Sequence, residues 1–233
     1  MKTLADFDIT NRWPPVNSDI IQLYSLPTPN GMKASIALEE LELPYEGHFV
    51  DFGSNDQTTP EFMSLNPNNK IPAMIDPNGP DGKPLGLFES GAMLIYLAEK
   101  TGKLISTDPV KRYETLQWLM WQMGGVGPMF GQLGFFFKFA GAEFEDKRPL
   151  QRYIDESARL LKVLDQRLEG RDWVMDDYSI ADIAIAPWLG TIVRFYEATE
   201  QVGWGELKNV PAYLDRFLER PAVKRGMVSP ARP

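Results

Sequence analysis

A hydroxyl and a side-chain amide lie two residues apart in the turn Thr28-Pro29-Asn30-Gly31. An apolar run over residues 20–24 precedes the turn, and a helical pattern over about residues 32–42 follows it. A strand, a tight turn and a helix form the first half of a βαβ unit. Because the first N–H groups of a helix are unpaired and lie at the positive end of its dipole, this turn can hold a partial negative charge.

The chain has no cysteine and one histidine, His48. Disulfides, thiolate–metal sites, His-rich metal sites and a redox thiol of the protein itself are therefore excluded, and we expect no metal. A His-dependent triad is disfavoured because no serine elbow accompanies the histidine. We interpret His48 as a core residue. If the charge held at the turn is a thiolate, that thiolate must come from a bound small molecule.

The formal net charge of −8 disfavours nucleic acid and anionic membrane surfaces as partners. Acidic residues interrupt the N-terminus before any apolar segment forms, which is not typical of a signal peptide. The longest apolar stretch, residues 123–137, is broken by glycines and a proline and is too short to span a membrane. We therefore expect a soluble, cytoplasmic protein.

The first hundred residues predict the order β-α-β-loop-β-β-α of a thioredoxin-like domain. The later elements are expected at residues 45–50, 61–65, 70–75, 85–88 and 91–101. Pro72 lies near the start of its strand, where a missing N–H is tolerated. Trp13-Pro14-Pro15 indicates an extended N-terminal arm that docks on this domain.

From Asp108 onward the pattern is helical only. Helices are expected over 109–123, 150–169, 180–197 and 211–218, with a glycine-rich break over 124–128. Ser179 and Asp182 have the spacing of a capping box, and Pro187 is expected to bend the helix that follows. The predicted organisation is an arm over 1–18, an α/β thioredoxin-like domain over 19–102, an all-α domain over 108–225 and a tail over 226–233.

This organisation resembles that of the cytosolic glutathione transferases, and the likeness covers roughly residues 20–225. The motifs that carry it are Lys70-Ile71-Pro72, Glu89-Ser90 and Ser179-Ile180-Ala181-Asp182. Further segments resemble the bacterial nu-class branch, the glutathione-dependent disulfide-bond oxidoreductases: Thr28 to Gly31, Asn66 to Pro72, Phe88 to Gly91, and Gln117-Trp118-Leu119 through Gly127-Pro128-Met129.

The resemblance implies a site for glutathione, a tripeptide with two carboxylates, an amine and a thiol. Ser90 and nearby N–H groups would hold the γ-glutamyl carboxylate, and Glu89 would pair with the ammonium. A cis Pro72 would turn the backbone of Ile71 toward the central residue of the ligand. Lys70 would meet the glycyl carboxylate.

The resemblance also places Gln57 in contact with glutathione, and the alternative for this residue is an exposed loop amide. Thr28 and Asn30 would lie nearest the sulfur as the catalytic pair. Hydrogen bonds from these two residues would favour the thiolate, and one pKa unit requires only about 1.4 kcal/mol. A turn role for Thr28 and an N-cap role for Asn30 are both compatible with stabilisation of the thiolate. Tyr24, inside the strand run, is interpreted as a wall or core residue.

In the nu branch a second glutathione occupies the same cleft, and Gln122 and Arg152 match positions that reach it. The alternative for these two is a helix amide and a surface cation. The aromatic segment over 130–139 would line the substrate entrance or belong to a core or interface.

The resulting hypothesis is an enzyme that reduces small disulfides with one or two bound glutathione molecules. Conventional conjugation of glutathione to an electrophile is the first alternative, since it needs the same thiolate. A non-catalytic regulator with a transferase fold is the second. The resemblance further implies a homodimer, built between the small domain of one subunit and the helices of the other.

Overall fold

The computed structural model of the chain describes residues 3–232, so the outermost residues of the predicted arm and tail lie outside it. The described residues form two compact units, one of residues 3–101 with 221–232 and one of residues 102–220.

The strands and helices follow one another along the described chain in an α/β part and then a helical part. The strands are β1 Ile21–Ser25, β2 Tyr45–Phe49, β3 Ala73–Asp76 and β4 Leu85–Phe88. The α-helices are α1 Ile9–Arg12, α2 Pro29–Glu40, α3 Pro60–Leu65, α4 Ser90–Thr101, α5 Pro109–Trp121, α6 Gly127–Phe137, α7 Arg148–Arg167, α8 Ile180–Thr191, α9 Val210–Glu219 and α10 Pro221–Gly226. Two π-helical turns, Gln122–Val126 and Ile192–Tyr196, continue α5 and α8.

The first unit contains a four-stranded sheet in the order β2-β1-β3-β4. Strand β1 is parallel to β2, and β3 is antiparallel to both of its neighbours. Every residue of β1 is buried, as is most of the first three turns of α2. This arrangement confirms the predicted thioredoxin-like α/β domain.

The N-terminal arm docks on the first unit, but it is not extended throughout. A 3-10 turn, Leu4–Asp6, and the short helix α1 form within it. The Asp6 carboxylate accepts a hydrogen bond from the backbone N–H of Thr3 at 2.6 Å, which closes a capping box. The arm coils because Leu4 and Ile9 bury their side chains in a core cluster of this unit.

The C-terminal segment differs from the expectation of a helical-domain end followed by a frayed tail. Helix α10 packs on α2, where the Ser35 hydroxyl donates to the carbonyl of Gly226 at 2.6 Å. The hydroxyls of Tyr45 and Ser229 lie 2.8 Å apart. Residues 221–232 therefore belong to the first unit. The sequence misses this because the contacts join residues almost 200 positions apart.

The second unit is all-helical, as predicted. The expected glycine-rich break is absent, because residues 122–126 form a π-helical turn that leads directly into α6. Such a turn accommodates Pro128, which has no N–H to donate to a regular α-helical hydrogen-bond ladder. The predicted capping box is confirmed at α8, where the Asp182 carboxylate accepts from the N–H of Ser179 at 2.9 Å. Within residues 3–232, no helix is both long and apolar enough to cross a membrane.

Candidate glutathione site

Three polar features of the first unit meet at one edge of the sheet. The strand register pairs Tyr24 with Ala73, and Ala73 with Phe88. Because β1 and β4 are both antiparallel to β3, their ends lie at the same edge as the start of β3. The turn after β1, the peptide before β3 and the step from β4 to α4 are therefore neighbours. The predicted residues Thr28, Ile71, Pro72, Glu89 and Ser90 occupy these three positions.

The turn after β1 forms because of its capping chemistry. Thr28 is the N-cap of α2, and its Oγ1 accepts a hydrogen bond from the N–H of Gly31 at 3.2 Å. Pro29 occupies the first helical position, where its missing N–H costs nothing. Since the cap uses a lone pair of Oγ1, the hydroxyl hydrogen of Thr28 remains able to donate to a ligand. Thr28 and Asn30 are both half-buried.

Gly31 is required by the close approach of the chain to itself. A Cβ at this position would lie 1.9 Å from the carbonyl oxygen of Leu26. Only glycine therefore allows α2 to begin this close to the end of β1.

The peptide before β3 has the geometry that the resemblance implies. The Ile71–Pro72 bond is cis, and both residues are buried. The preceding loop is held by Asn66, whose amide donates to the carbonyl of Lys70 and whose Oδ1 accepts from the N–H of Asn68. The Lys70 side chain is exposed, where an anionic group of a ligand can reach it.

Glu89 and Ser90 lie between β4 and α4. Glu89 has a left-handed backbone, with φ of 70°, which is unusual for a residue with a side chain. Its carbonyl accepts from the N–H of Met93 at 3.0 Å, so Glu89 directly precedes α4 and accepts the first hydrogen bond of that helix. Conformations of this kind cost roughly 1–3 kcal/mol and cluster at functional sites. The Glu89 side chain is exposed, whereas Ser90 is buried at the first residue of the helix.

Gln57 belongs to a 3-10 turn, Asp56–Thr58, in the segment between β2 and α3. Its Oε1 is buried and makes no hydrogen bond to any of the described residues. A half-buried amide with one unsatisfied oxygen is an unusual surface residue.

Lys33 is a candidate that the sequence analysis missed. Its side chain is only 1% exposed, and burial lowers its pKa to about 7, although the negative charge of Glu89 acts in the opposite direction. Lys33 interrupts the apolar face of α2, directly before Ala34. That interruption was the signal available in the sequence. Buried ionisable groups with perturbed pKa values are enriched at functional sites.

Tyr24 and His48 lie in the core. Their rings are stacked with centroids 4.6 Å apart, and the rings of Trp13 and Tyr24 form a T-shaped pair with centroids 5.9 Å apart. Burial raises the pKa of Tyr24 far above its ordinary value, which disfavours a phenolate. His48 Nε2 lies 2.8 Å from Oε1 of Gln22.

The second unit holds the two residues predicted for a second glutathione. Gln122 is fully buried in the π-helical turn, where a Cβ at Gly127 would lie 2.9 Å from its Nε2. Arg152 is exposed on α7. In the aromatic segment, Phe130 is core, whereas Phe135 and Phe139 are exposed. The part of the chain that the structure describes contains no cluster of acidic or histidine side chains suited to a metal ion.

Family models match both units. The model of the glutathione S-transferase N-terminal domain matches residues 20–99, and that of the C-terminal domain matches residues 127–221. The chain therefore belongs to the glutathione S-transferase family, and the resemblance stated from its motifs is confirmed.

Individual relatives point to one branch of this family. The disulfide-bond oxidoreductase YfcG from Escherichia coli is 44% identical over 211 residues, covering 90% of this chain and 95% of its own. A glutathione transferase from Burkholderia graminis, solved with two glutathione molecules per subunit, is 64% identical. Its TM-score is 0.98, with 100% of this chain and 98% of its own covered. A glutathione transferase from Pseudomonas putida, solved with one glutathione disulfide per subunit, is 60% identical with a TM-score of 0.97 and covers 98% and 100%.

Proposed function

We propose that this protein binds glutathione at the sheet edge and uses the glutathione thiolate to reduce small disulfides. The observation that carries the proposal is the convergence of the α2 cap, the cis Pro72 peptide and the Glu89–Ser90 step at that edge. The names of the relatives and the ligands in their solved structures support the choice of ligand and reaction.

Each part of glutathione has a matching group at this edge. Ser90 and the first N–H groups of α4 hold the γ-glutamyl carboxylate, and Glu89 pairs with the ammonium. The backbone of Ile71, presented by Pro72, pairs with the central residue. The Lys70 side chain meets the glycyl carboxylate. The Gln57 side chain also contacts glutathione.

The thiol lies at the start of α2. The Thr28 hydroxyl and the side-chain amide or N–H of Asn30 donate to the sulfur, and the helix N-terminus favours its negative charge. A free thiol has a pKa of about 8.5, so a decrease of one or two units would make the thiolate a major species at pH 7.

The reaction requires two thiols, and the chain has no cysteine. The first glutathione thiolate attacks one sulfur of the disulfide, and the other sulfur leaves as a thiolate that takes up a proton. A second glutathione thiolate attacks the glutathione sulfur of the mixed disulfide. Glutathione disulfide forms, and the second half of the substrate leaves as a thiol. We assign Gln122 and Arg152 to this second glutathione, so that one or two molecules bind per site.

Turnover on two substrates tests the proposal. Wild-type protein should reduce a small dithiodiol with glutathione faster than it conjugates glutathione to a chloronitroaromatic. The reverse preference would indicate a conventional transferase. Failure to bind glutathione at all would indicate a non-catalytic protein with this fold.

We further propose a homodimer in the cytoplasm, where glutathione is mostly reduced. Both units expose large apolar side chains that a partner would cover. They include Phe52, Met63 and Phe88 in the first unit and Val110, Tyr113 and Met120 in the second. Light scattering after size-exclusion chromatography should give twice the mass of the chain, and the variant Tyr113→Lys/Met120→Lys should shift it toward the monomer. A monomeric wild type would contradict the dimer.

A further inference from the structure

The N-terminal arm is tied to the segment that carries Gln57. The guanidinium of Arg12 forms an ion pair with the carboxylate of Asp56, which is only 7% exposed. The second oxygen of that carboxylate accepts a hydrogen bond from the N–H of Asp51 at 3.0 Å. The carboxylate therefore joins the arm to both ends of the short segment from Asp51 to Asp56.

Two further contacts fix the arm along β2. The indole N–H of Trp13 donates to the carbonyl of Phe49 at 3.2 Å, and its ring packs edge-on against Phe62. The N–H groups of Val16 and Asn17 donate to the carboxylate of Glu46 at 2.9 to 3.0 Å. The arm thus contacts the start of β2, its end and the turn beyond it.

The turn beyond β2 is also held by local hydrogen bonds, among them those from the N–H and the hydroxyl of Thr58 to the carbonyl of Asn55 at 3.0 and 2.8 Å. Gln57 directly follows Asp56 within it, and the turn is closed by hydrogen bonds from Asp56 N–H to the Asp51 carbonyl and from Thr59 N–H to the Asp56 carbonyl, at 3.1 and 3.2 Å. A buried carboxylate that loses its counter-charge is strongly disfavoured and tends to move toward water. Movement of Asp56 would displace the backbone that sets the direction of the Gln57 side chain.

We infer that the arm is part of the glutathione site, with Arg12 a positioning residue that holds Gln57 in place through Asp56. The inference rests on the proposed function, since it assumes that Gln57 contacts glutathione. It gives the arm a role in ligand affinity, separate from the chemistry at Thr28.

The first test compares Arg12→Met with Arg159→Met in the full-length protein. Arg159 forms an exposed ion pair with Glu156 in the second unit, so its loss is a matched control. Arg12→Met should raise both the Kd for glutathione, by calorimetry, and the KM, by about three- to tenfold, the equivalent of one lost hydrogen bond. The kcat of Arg12→Met should stay within about twofold of the wild-type value. Arg12→Lys should recover most of the affinity for glutathione, and Arg159→Met should match wild type.

A double-mutant cycle separates positioning from general support. Gln57→Ala alone should weaken glutathione binding, and adding Arg12→Met to it should produce little further loss. A merely structural role for Arg12 would give the same factor in both backgrounds. Circular dichroism checks folding. The variant Trp13→Phe keeps an aromatic side chain but loses the hydrogen bond to Phe49, and it should give a smaller loss of affinity.

The outcomes are distinguishable. Unchanged affinity in Arg12→Met, or an undiminished effect of that substitution in the Gln57→Ala background, overturns the positioning role. An effect of Gln57→Ala too small to measure does the same. A wild-type protein that does not bind glutathione overturns the proposed function instead.

Discussion

The Thr28 hydroxyl can both cap α2 and donate a hydrogen bond to a ligand, and substitutions of Thr28 separate these two roles. The oxygen accepts the N–H of Gly31 at 3.2 Å and so caps α2, while the hydrogen can donate to the glutathione sulfur. Thr28→Val keeps the shape and loses both, whereas Thr28→Ser keeps both. Loss of the cap should lower the free energy of unfolding by about 1 kcal/mol.

The loss of the donor should appear in the chemistry. A hydrogen bond to a charged group contributes about 1.5–3 kcal/mol, which corresponds to a rise of one to two units in the pKa of the bound thiol. From a bound pKa of about 6.5–7.5, this rise lowers the thiolate fraction at pH 7 by about 3- to 80-fold, and kcat/KM for disulfide reduction should fall by about the same factor. The deficit should shrink at alkaline pH, where the thiol ionises without help.

The assay is a pH profile of kcat/KM from pH 6 to pH 9.5 for wild type and both variants, with urea unfolding measured in parallel. The acidic limb of the profile should shift to higher pH in Thr28→Val and stay in place in Thr28→Ser. If Thr28→Val loses stability but keeps the wild-type profile, Thr28 is only a cap and the assigned donor is wrong.

Three further predictions concern buried groups, and urea unfolding checks each of them. Because burial lowers the pKa of Lys33 from 10.5 to about 7, unfolding takes up a proton between these values and wild-type stability should rise with pH. Lys33→Met should therefore have a free energy of unfolding a few kcal/mol above that of wild type at pH 6, and the difference should disappear near pH 10. A difference that does not change with pH would contradict this prediction. Asp182→Ala should cost about 3 kcal/mol or more, because it leaves several buried donors without their acceptor; a cost below about 1 kcal/mol would contradict it. Gly226→Ala should cost about 1–3 kcal/mol, because its Cβ would lie 2.6 Å from the Cα of Ile36. The control Gly190→Ala, with open space around it, should be neutral or stabilising. Equal effects of the two substitutions would show that α10 moves freely.

Local chemistry explains what could be predicted from the sequence. The turn at Thr28 and the box at Ser179 and Asp182 each lie within four consecutive residues, so their capping is visible without a fold. The element order of both units follows from hydrophobic periodicity and turn residues. The cis peptide at Pro72 was expected only from the family resemblance, because a cis bond is rare before any given proline.

The features that were missed depend on contacts between distant residues. The ion pair of Arg12 and Asp56 joins positions 44 apart, and the docking of α10 joins Ser35 to Gly226. The burial of Lys33 likewise depends on the packing around α2, since lysine is mostly exposed in proteins. These features determine how the arm and the C-terminal segment complete the first unit.

A pH titration of glutathione bound to the wild-type protein, followed by the ultraviolet absorbance of its thiolate, tests thiolate stabilisation most directly. We predict that the bound thiol titrates at least one unit below the value of about 8.5 for a free thiol. A bound thiol that titrates near the free value, or the absence of binding, would contradict it.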